Sequence, residues 1–384
     1  MKSRIKTILS ILCICCLLFT FTSCGSSSDI TLEELGEIVS LHTEIQNTFL
    51  RSTNYAEFNS WTAEDGSEEA SIPAPVHFAW QVSTGLQKRV EKFVLEISEW
   101  HNFYESVQYE TTENHLDVYN LKSGTFYFWR VTAVTSNGKR VVSNASSFET
   151  EDLAPRCIYI DGVTNVRDLG GWQTEAGYYV KQGMIFRSGR FNESQIDTLV
   201  VEITDKGIHT LLYELGIRTE IDLRMDEDHP NCVHGLETSG ITSSVLGEDV
   251  NYYNVPMEYI MGDNFNYLSD ARFYNSIKKF FSYLADESNY PIIYHCNIGT
   301  DRTGLFAFLV NGLLGVSEEN LYRDYLFSNF GDIGTARTLN NIKSYHQKIN
   351  TYKGSTFAEK IENCLLDIGV RQEEIDAIRN LMLE

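Results

Sequence analysis

Apolar residues change their spacing several times along the chain, and each change marks a different kind of element. Thr7 to Thr22 is a nearly continuous apolar run behind Lys2, Arg4 and Lys6. Past it, Thr31-Leu32-Glu33-Glu34 has the form of a capping box, and Leu35, Ile38, Val39, Ile45 and Phe49 recur at helical spacing. That pattern predicts a helix over 31–50. An acidic and small-residue run from Glu64 to Ser71, closed by Pro73 and Pro75, predicts a loop. From 75 to 150 the period falls to two, in Val76–Val82, Lys92–Ser98 and Phe126–Thr132, with turn residues between. Short alternating strands of this kind predict an all-β sandwich.

Glu151 to Pro155 links to a third pattern. Strand-like runs at Ile158–Ile160, Met184–Arg187, Arg218–Leu223, Tyr252–Val255 and Pro291–Tyr294 alternate with helix-like runs at His209–Leu215, Phe273–Leu284 and Leu305–Leu314. Such alternation predicts an α/β fold over 156–384, with a largely parallel central sheet flanked by helices. Residues 318–383 read as a set of helices.

Composition narrows the function classes. The chain has 384 residues, is 42% hydrophobic and carries a formal net charge of -22. That suits globular domains with real cores and argues against nucleic acid as a partner, since phosphate backbones require Lys/Arg stripes. The apolar run at the N-terminus is shorter than the roughly twenty residues of a membrane span and reads as an export signal. Its end, Phe21-Thr22-Ser23-Cys24-Gly25, resembles the bacterial lipoprotein signal. The resemblance implies a signal peptide over 1–23, lipidation of Cys24, and a tether and N-terminal helix over 24–74, placing the protein outside the cytoplasm on a membrane. Of the eight cysteines, Cys157, Cys232 and Cys364 read as buried thiols, with a Cys157–Cys232 disulfide open to a protein outside the cell. Their wide spacing fits no zinc site.

The chemistry concentrates in His295-Cys296-Asn297-Ile298-Gly299-Thr300-Asp301-Arg302-Thr303-Gly304, a loop between a buried strand and a buried helix. A loop closing onto a helix N-terminus aims several amides at one anion, where the helix dipole adds to them. Arg302 can clamp two phosphate oxygens. The same field lowers the pKa of Cys296 and makes it a nucleophile. Attack on phosphorus would give a phosphocysteine that water then hydrolyses, a route requiring neither metal nor cofactor.

The pattern H-C-x5-R-T, with Gly299 inside and Gly304 after it, resembles the cysteine-dependent tyrosine phosphatase superfamily, and most closely its bacterial secreted branch. Asn165-Val166-Arg167-Asp168-Leu169-Gly170-Gly171, Phe186-Arg187-Ser188-Gly189, Leu215–Thr219 leading into Ile221-Asp222-Leu223-Arg224, and Arg323-Asp324-Tyr325-Leu326 match that branch in order. The resemblance implies a tyrosine-phosphatase-like fold with Cys296 as nucleophile and Arg302 as clamp. Asn297, Ile298, Gly299, Thr300, Asp301, Arg302 and Thr303 would form the phosphate cradle, with the Thr303 hydroxyl donating to the thiolate and His295 orienting the loop. For the proton donor it points to Asp222, with Asp301 lining the loop. Position alone also allows Glu258 and Asp263. Asp168 reads as a residue that fixes a turn. Thr300 stands where the branch usually has lysine, which favours a singly phosphorylated substrate over a polyanionic one. Leu121, Gly124, Tyr127, Trp129 and Val131 resemble the fibronectin type III signature, and Ser147–Thr150 its closing strand.

The reading is therefore a metal-independent phosphomonoesterase of protein tyrosine phosphatase type, acting on a phosphorylated protein or a small phosphomonoester. A phosphoinositide or small-molecule phosphatase with the same loop is the alternative within enzymes. A non-catalytic binding or adhesion lipoprotein on the cell surface is the alternative outside them.

Overall fold

The computed structural model describes residues 29–53, 66–191, 202–225, 243–258 and 266–384. The export signal, Cys24, Cys232 and Asp263 lie outside these residues. Among the described residues no helix is long and apolar enough to cross a membrane.

The N-terminal segment differs from the helix predicted over 31–50. Ile30–Leu32 forms a strand, β1, and Ile38–Val39 a second, β2; the helix, α1, covers only Glu44–Arg51. The capping box that is used is Thr43 with Gln46, not Thr31 with Glu34. The deciding contacts are remote: β1 pairs with β3 (Val76–Val82), setting Leu32 opposite Trp80, and β2 pairs with β9 (Ser146–Thr150). Tertiary pairing overrides a local helical period when it buries a side chain such as Ile30, 2% exposed.

The strands between residues 30 and 150 form two sheets. One has the order β1-β3-β6, with β6 at His115–Val118. The other runs β2-β9-β7-β4-β5, with β4 at Val90–Ser98, β5 at Val107–Thr111, β7 at Phe126–Thr135 and β8 (Arg140–Val142) beside β7. Phe78 and Trp80 from the first and Phe93, Trp129, Val131 and Phe148 from the second share one apolar cluster. Phe78 meets Trp129 edge-on at 4.9 Å between ring centroids, a favourable aromatic geometry.

The remainder is built on a five-stranded sheet of order β10-β11-β14-β12-β13. These strands are Arg167–Asp168, Ile185–Ser188, Ile292–His295, Thr219–Asp222 and Asn251–Asn254 respectively. β11, β14, β12 and β13 are mutually parallel, and β10 is antiparallel at the edge. The strand-like run Ile158–Ile160 contributes only an isolated bridge between Cys157 and Arg167. Helix α2 (Asp205–His209) passes into a wider turn at Thr210–Glu214, and α3 (Tyr274–Leu284) precedes β14. Helix α4 (Asp301–Leu313) follows β14, and α5 (Glu318–Phe327), α6 (Leu339–Ile349), α7 (Phe357–Ile368) and α8 (Gln372–Met382) complete the chain.

Every residue of α4 is buried. A helix apolar on all faces must be surrounded: Phe306 stacks on Phe280 of α3 at 3.9 Å, and Ile361 lies against Gly312. The strand–loop–helix unit that carries the cysteine is therefore the centre of this body. Helix α1 joins the same body, for Phe49 and Leu50 enter its core and Phe49 packs edge-on against Phe330 at 5.6 Å. The chain thus visits the β sheets, crosses to the α/β body, returns to the sheets at β3, and enters the α/β body again after Glu151.

Candidate active site

β14 ends at His295, and the next five residues turn back over the C-terminal ends of the parallel strands before α4 begins. Gly299 makes the turn possible. Its φ is +71°, and a Cβ there would lie 2.5 Å from the carbonyl carbon of Ser188 on β11, so only glycine fits.

The loop carbonyls are fastened from behind, one after another. His295 Nδ1 is 3.2 Å from Cys296 O. Arg190 N donates to Asn297 O at 3.0 Å. Asn165 Nδ2 donates to Ile298 O at 3.0 Å, Arg187 to Gly299 O at 2.8 Å, and Gly304 N to Thr300 O at 2.7 Å. In a trans peptide the C=O of one residue and the N–H of the next point in opposite directions. Holding the Cys296, Asn297, Ile298 and Gly299 carbonyls outward therefore turns the amides of Asn297, Ile298, Gly299 and Thr300 inward, towards one spot beside Cys296. The polar walls of that spot include Arg302 Nε, Ser188 Oγ and Thr303 Oγ1, buried atoms with no hydrogen-bond partner among the described residues. Buried polar atoms are seldom left so, and three around one loop mark an anion site.

Two charge networks brace the loop. Asp324 on α5 accepts from Arg167 Nε at 2.8 Å and from Arg187 at 2.6 Å, so the guanidinium that holds Gly299 is itself held. On the other side His295 Nε2 is 2.9 Å from Glu220 Oε1, and its Nδ1 is 3.8 Å from Asp222. Burial alone would lower the His295 pKa, but the Asp222 and Glu220 carboxylates raise it. The imidazolium form then donates to Glu220 and to the Cys296 carbonyl. The ligand atoms of Glu220, Asp222 and His295 lie within 4.8 Å of one another, yet their mutual contacts and the Arg224 guanidinium bound to Asp222 make the group an ion-pair network.

Cys296 is 2% exposed. Burial pushes its thiol pKa up, but Arg302 and the hydroxyl and amide of Thr303 outweigh that, and the net shift is downward. The arrangement can hold a thiolate against a bound tetrahedral anion. Arg302 itself donates to Met257 O at 3.0 Å, which brings the segment after β13 against the clamp.

The carboxyl groups expected near the site fall in different places. Asp222 is 1% exposed and accepts from Arg224 Nε at 2.9 Å, from Arg224 Nη2 at 2.6 Å and from the Tyr252 hydroxyl at 3.0 Å. Burial works to raise its pKa, but Arg224 and His295 hold it at about 2. Asp301 is also buried, bound by Arg337 Nε and Nη2 at 2.9 Å each and by the Tyr325 hydroxyl at 3.2 Å. Glu258 is partly exposed, next to Met257, and pairs with Arg272 at 2.9 Å. Asp168 accepts from the amides of Gly170 and Gly183 and from Arg156, the contacts of a turn-fixing residue. Thr300 is fully buried, its hydroxyl 3.3 Å from Ile298 O and 3.2 Å from Asn165 Nδ2. It faces the loop's support and not the pocket mouth. Cys157 and Cys364 are buried free thiols.

Glu220, Asn165, Arg187, Arg190 and Asp324 all act on the loop from other elements, and the sequence alone gave them no role. Their signal was present only as short matching stretches around Asn165, Arg187, Asp222 and Asp324.

Residues 158–384 match the model of the tyrosine phosphatase family. A Cupriavidus necator protein named "Putative tyrosine-protein phosphatase" is 26% identical over 181 residues, covering 44% of this chain and 62% of that relative's length. Two solved structures of the Siw14 catalytic core are similar. One, of the S. cerevisiae PP-IP phosphatase core in complex with citrate, is 16% identical, with a TM-score of 0.29 over 53% of this chain and 91% of its own. The other is 15% identical, with a TM-score of 0.28 over 58% of this chain and 93% of its own. With more than half of its length matched from the N-terminal side of β10 to its final residue, this chain belongs to the tyrosine phosphatase family.

Proposed function

We propose that the protein is a cysteine-dependent phosphomonoesterase. The observation that carries this is the outward fastening of the loop carbonyls around a thiol whose pKa is lowered. The Cys296 thiolate attacks phosphorus as the S–P bond forms and the P–O bond to the leaving group breaks. The inward amides and Arg302 take up the charge on the phosphoryl oxygens. Water then attacks the phosphocysteine, releasing inorganic phosphate and the thiolate, which the Thr303 hydroxyl stabilises. The leaving oxygen needs a proton from an acid within reach. Asp222 and Asp301 are locked in ion pairs, so we assign this step to the segment whose Met257 carbonyl touches Arg302, with Glu258 as its described carboxyl group. Asp222 then acts as a positioning residue through His295.

Hydrolysis of p-nitrophenyl phosphate in EDTA, abolished in Cys296→Ser, tests the reading. Wild-type protein as inactive as Cys296→Ser would overturn it and favour a binding lipoprotein, against which the intact Cys296–Arg302 pair argues. For substrate class we favour phosphotyrosine or another singly phosphorylated group, since position 300 supplies no cation and the net charge is -22. Phosphotyrosine peptides compared with phosphoinositides decide it.

The setting is part of the proposal. The signal-like N-terminus supports export and lipid attachment at Cys24 on the outer face of a bacterial membrane, where a Cys24→Ala variant should lose incorporation of labelled palmitate. The two sheets over 30–150 support a fibronectin type III-like sandwich acting as a spacer. There Tyr127 Oη accepts from Lys122 N at 2.9 Å across the turn that holds Gly124.

A further inference from the structure

The run of acidic and small residues before Pro73 does more than join two elements. Its backbone is laid along the loop that follows α5. Gly66 N donates to Asn329 O at 3.1 Å, Ile333 N donates to Gly66 O at 2.9 Å, and Ala70 N donates to Phe330 O at 2.6 Å. Gly66 has a φ of +74° and would bring a Cβ to 2.6 Å from Ile333.

From this segment a chain of hydrogen bonds reaches the phosphate loop. Glu69 accepts from the Ser71 hydroxyl and from Ser71 N through one oxygen, and through the other from the Thr164 hydroxyl and from Asp332 N at 3.3 Å. With its proton given to Glu69, the Ser71 oxygen turns a lone pair to Asn165 N, 3.2 Å away. Asn165 has a φ of +58°, a left-handed conformation that a non-glycine residue keeps only when its surroundings fix it. Its side chain holds Ile298 O and Thr300 Oγ1. Releasing the Ile298 carbonyl would let the following peptide rotate and turn the Gly299 amide away from the anion.

We infer that the active site extends beyond the family-matched residues 158–384: Glu69 and Ser71 are positioning residues that hold Asn165 and, through it, the phosphate loop. The inference rests on the phosphatase reading, because it concerns how the same loop is kept in its anion-binding form.

The test uses the full chain with Ser71→Ala, Glu69→Gln and, as a control, the neighbouring Glu68→Gln. The pH dependence of iodoacetamide alkylation, read at the Cys296 peptide, reports the thiolate directly and needs no turnover. Ser71→Ala should move the midpoint upward and lower kcat/KM by about tenfold, the scale of one buried hydrogen bond. Glu69→Gln should do the same to a smaller extent and weaken inhibition by inorganic phosphate. Glu68→Gln should match wild type. If Ser71→Ala fails to fold, the exposed Glu69 position decides. Wild-type midpoints and kcat/KM in both variants would overturn the inference alone. A wild-type Cys296 that alkylates like an ordinary thiol and turns nothing over would overturn the phosphatase reading with it.

Discussion

Asp222→Asn separates a proton donor from a structural carboxylate, and the structure sets the size of the effect. In the folded protein the Asp222 pKa is about 2, against about 3.9 for a free aspartate. A difference of close to two units corresponds to about 2.5 kcal/mol of stability. The sign follows from a depressed carboxyl pKa: this contribution is fully present above about pH 4 and is lost as pH falls towards 2. Removing the charge also leaves Arg224 buried without its main partner, a defect that costs about 3–5 kcal/mol when a buried pair is broken. Urea unfolding should therefore show Asp222→Asn destabilised by about 3 kcal/mol between pH 5 and 8, with the gap to wild type closing near pH 2–3.

Activity gives the second half of the test. A carboxyl with a pKa near 2 is ionised throughout the neutral range, so it cannot be the acid that protonates a leaving group there. Asp222→Asn should lower kcat/KM by a similar, modest factor for aryl and alkyl phosphates, and the basic limb of the pH–rate profile should survive. Loss of that limb, with alkyl phosphates falling by the roughly hundredfold or more of a missing general acid, would refute the assignment. A stability change below about 1 kcal/mol would refute the ion-pair argument.

Glu258→Gln should abolish the basic limb and spare aryl phosphates more than alkyl ones, measured by the same profiles. Asp324→Asn strips the shared partner from Arg167 and Arg187, and should cost about 3 kcal/mol or more in urea unfolding while raising the Ki for inorganic phosphate. Gly299→Ala should fold with near-native circular dichroism but lose turnover, because its Cβ would meet Ser188 at 2.5 Å. Thr300→Lys should lower activity on every substrate, phosphoinositides included, since the buried Thr300 side chain is bonded to Asn165.

What could be read from the chain was the part whose physics is local. The loop from His295 to Gly304 carries its own evidence, because a cysteine, an arginine and two glycines at fixed spacing between a buried strand and a buried helix specify one geometry. The residues that make this geometry hold were not legible, because their roles exist only once distant segments meet. Glu220 looks like any charged residue at a strand start until β12 lies beside β14 and sets it against His295. The mistaken helix at 31–50 has the same origin, since Thr31 and Glu34 satisfy a local capping pattern while Leu32 is claimed by Trp80.

The path of the chain explains why the loop depends on so distant a segment. After β2 it enters the α/β body with α1 and residues 66–71, leaves at β3 for the remaining strands, and returns at Glu151. Both crossings are fastened at that point. Glu151 accepts from Ser40 at 2.7 Å, from Leu41 N at 2.9 Å, from His42 at 2.7 Å and from Arg51 at 2.9 Å. Burial acts to lower the His42 pKa, yet its partners Cys157 and Glu151 raise it to about 10, and Glu151 itself is held at about 2. The Glu151 contribution is complete above about pH 4.5 and that of His42 below about pH 6.5, each fading only as pH passes its folded value. The junction therefore stays ionised across the neutral range. The segment that supports Asn165 is thus anchored at one end by this junction and at the other by the loop after α5. In physical terms the strands from β3 to β9 are an excursion out of the catalytic body, and the residues just before that excursion belong to the phosphate site.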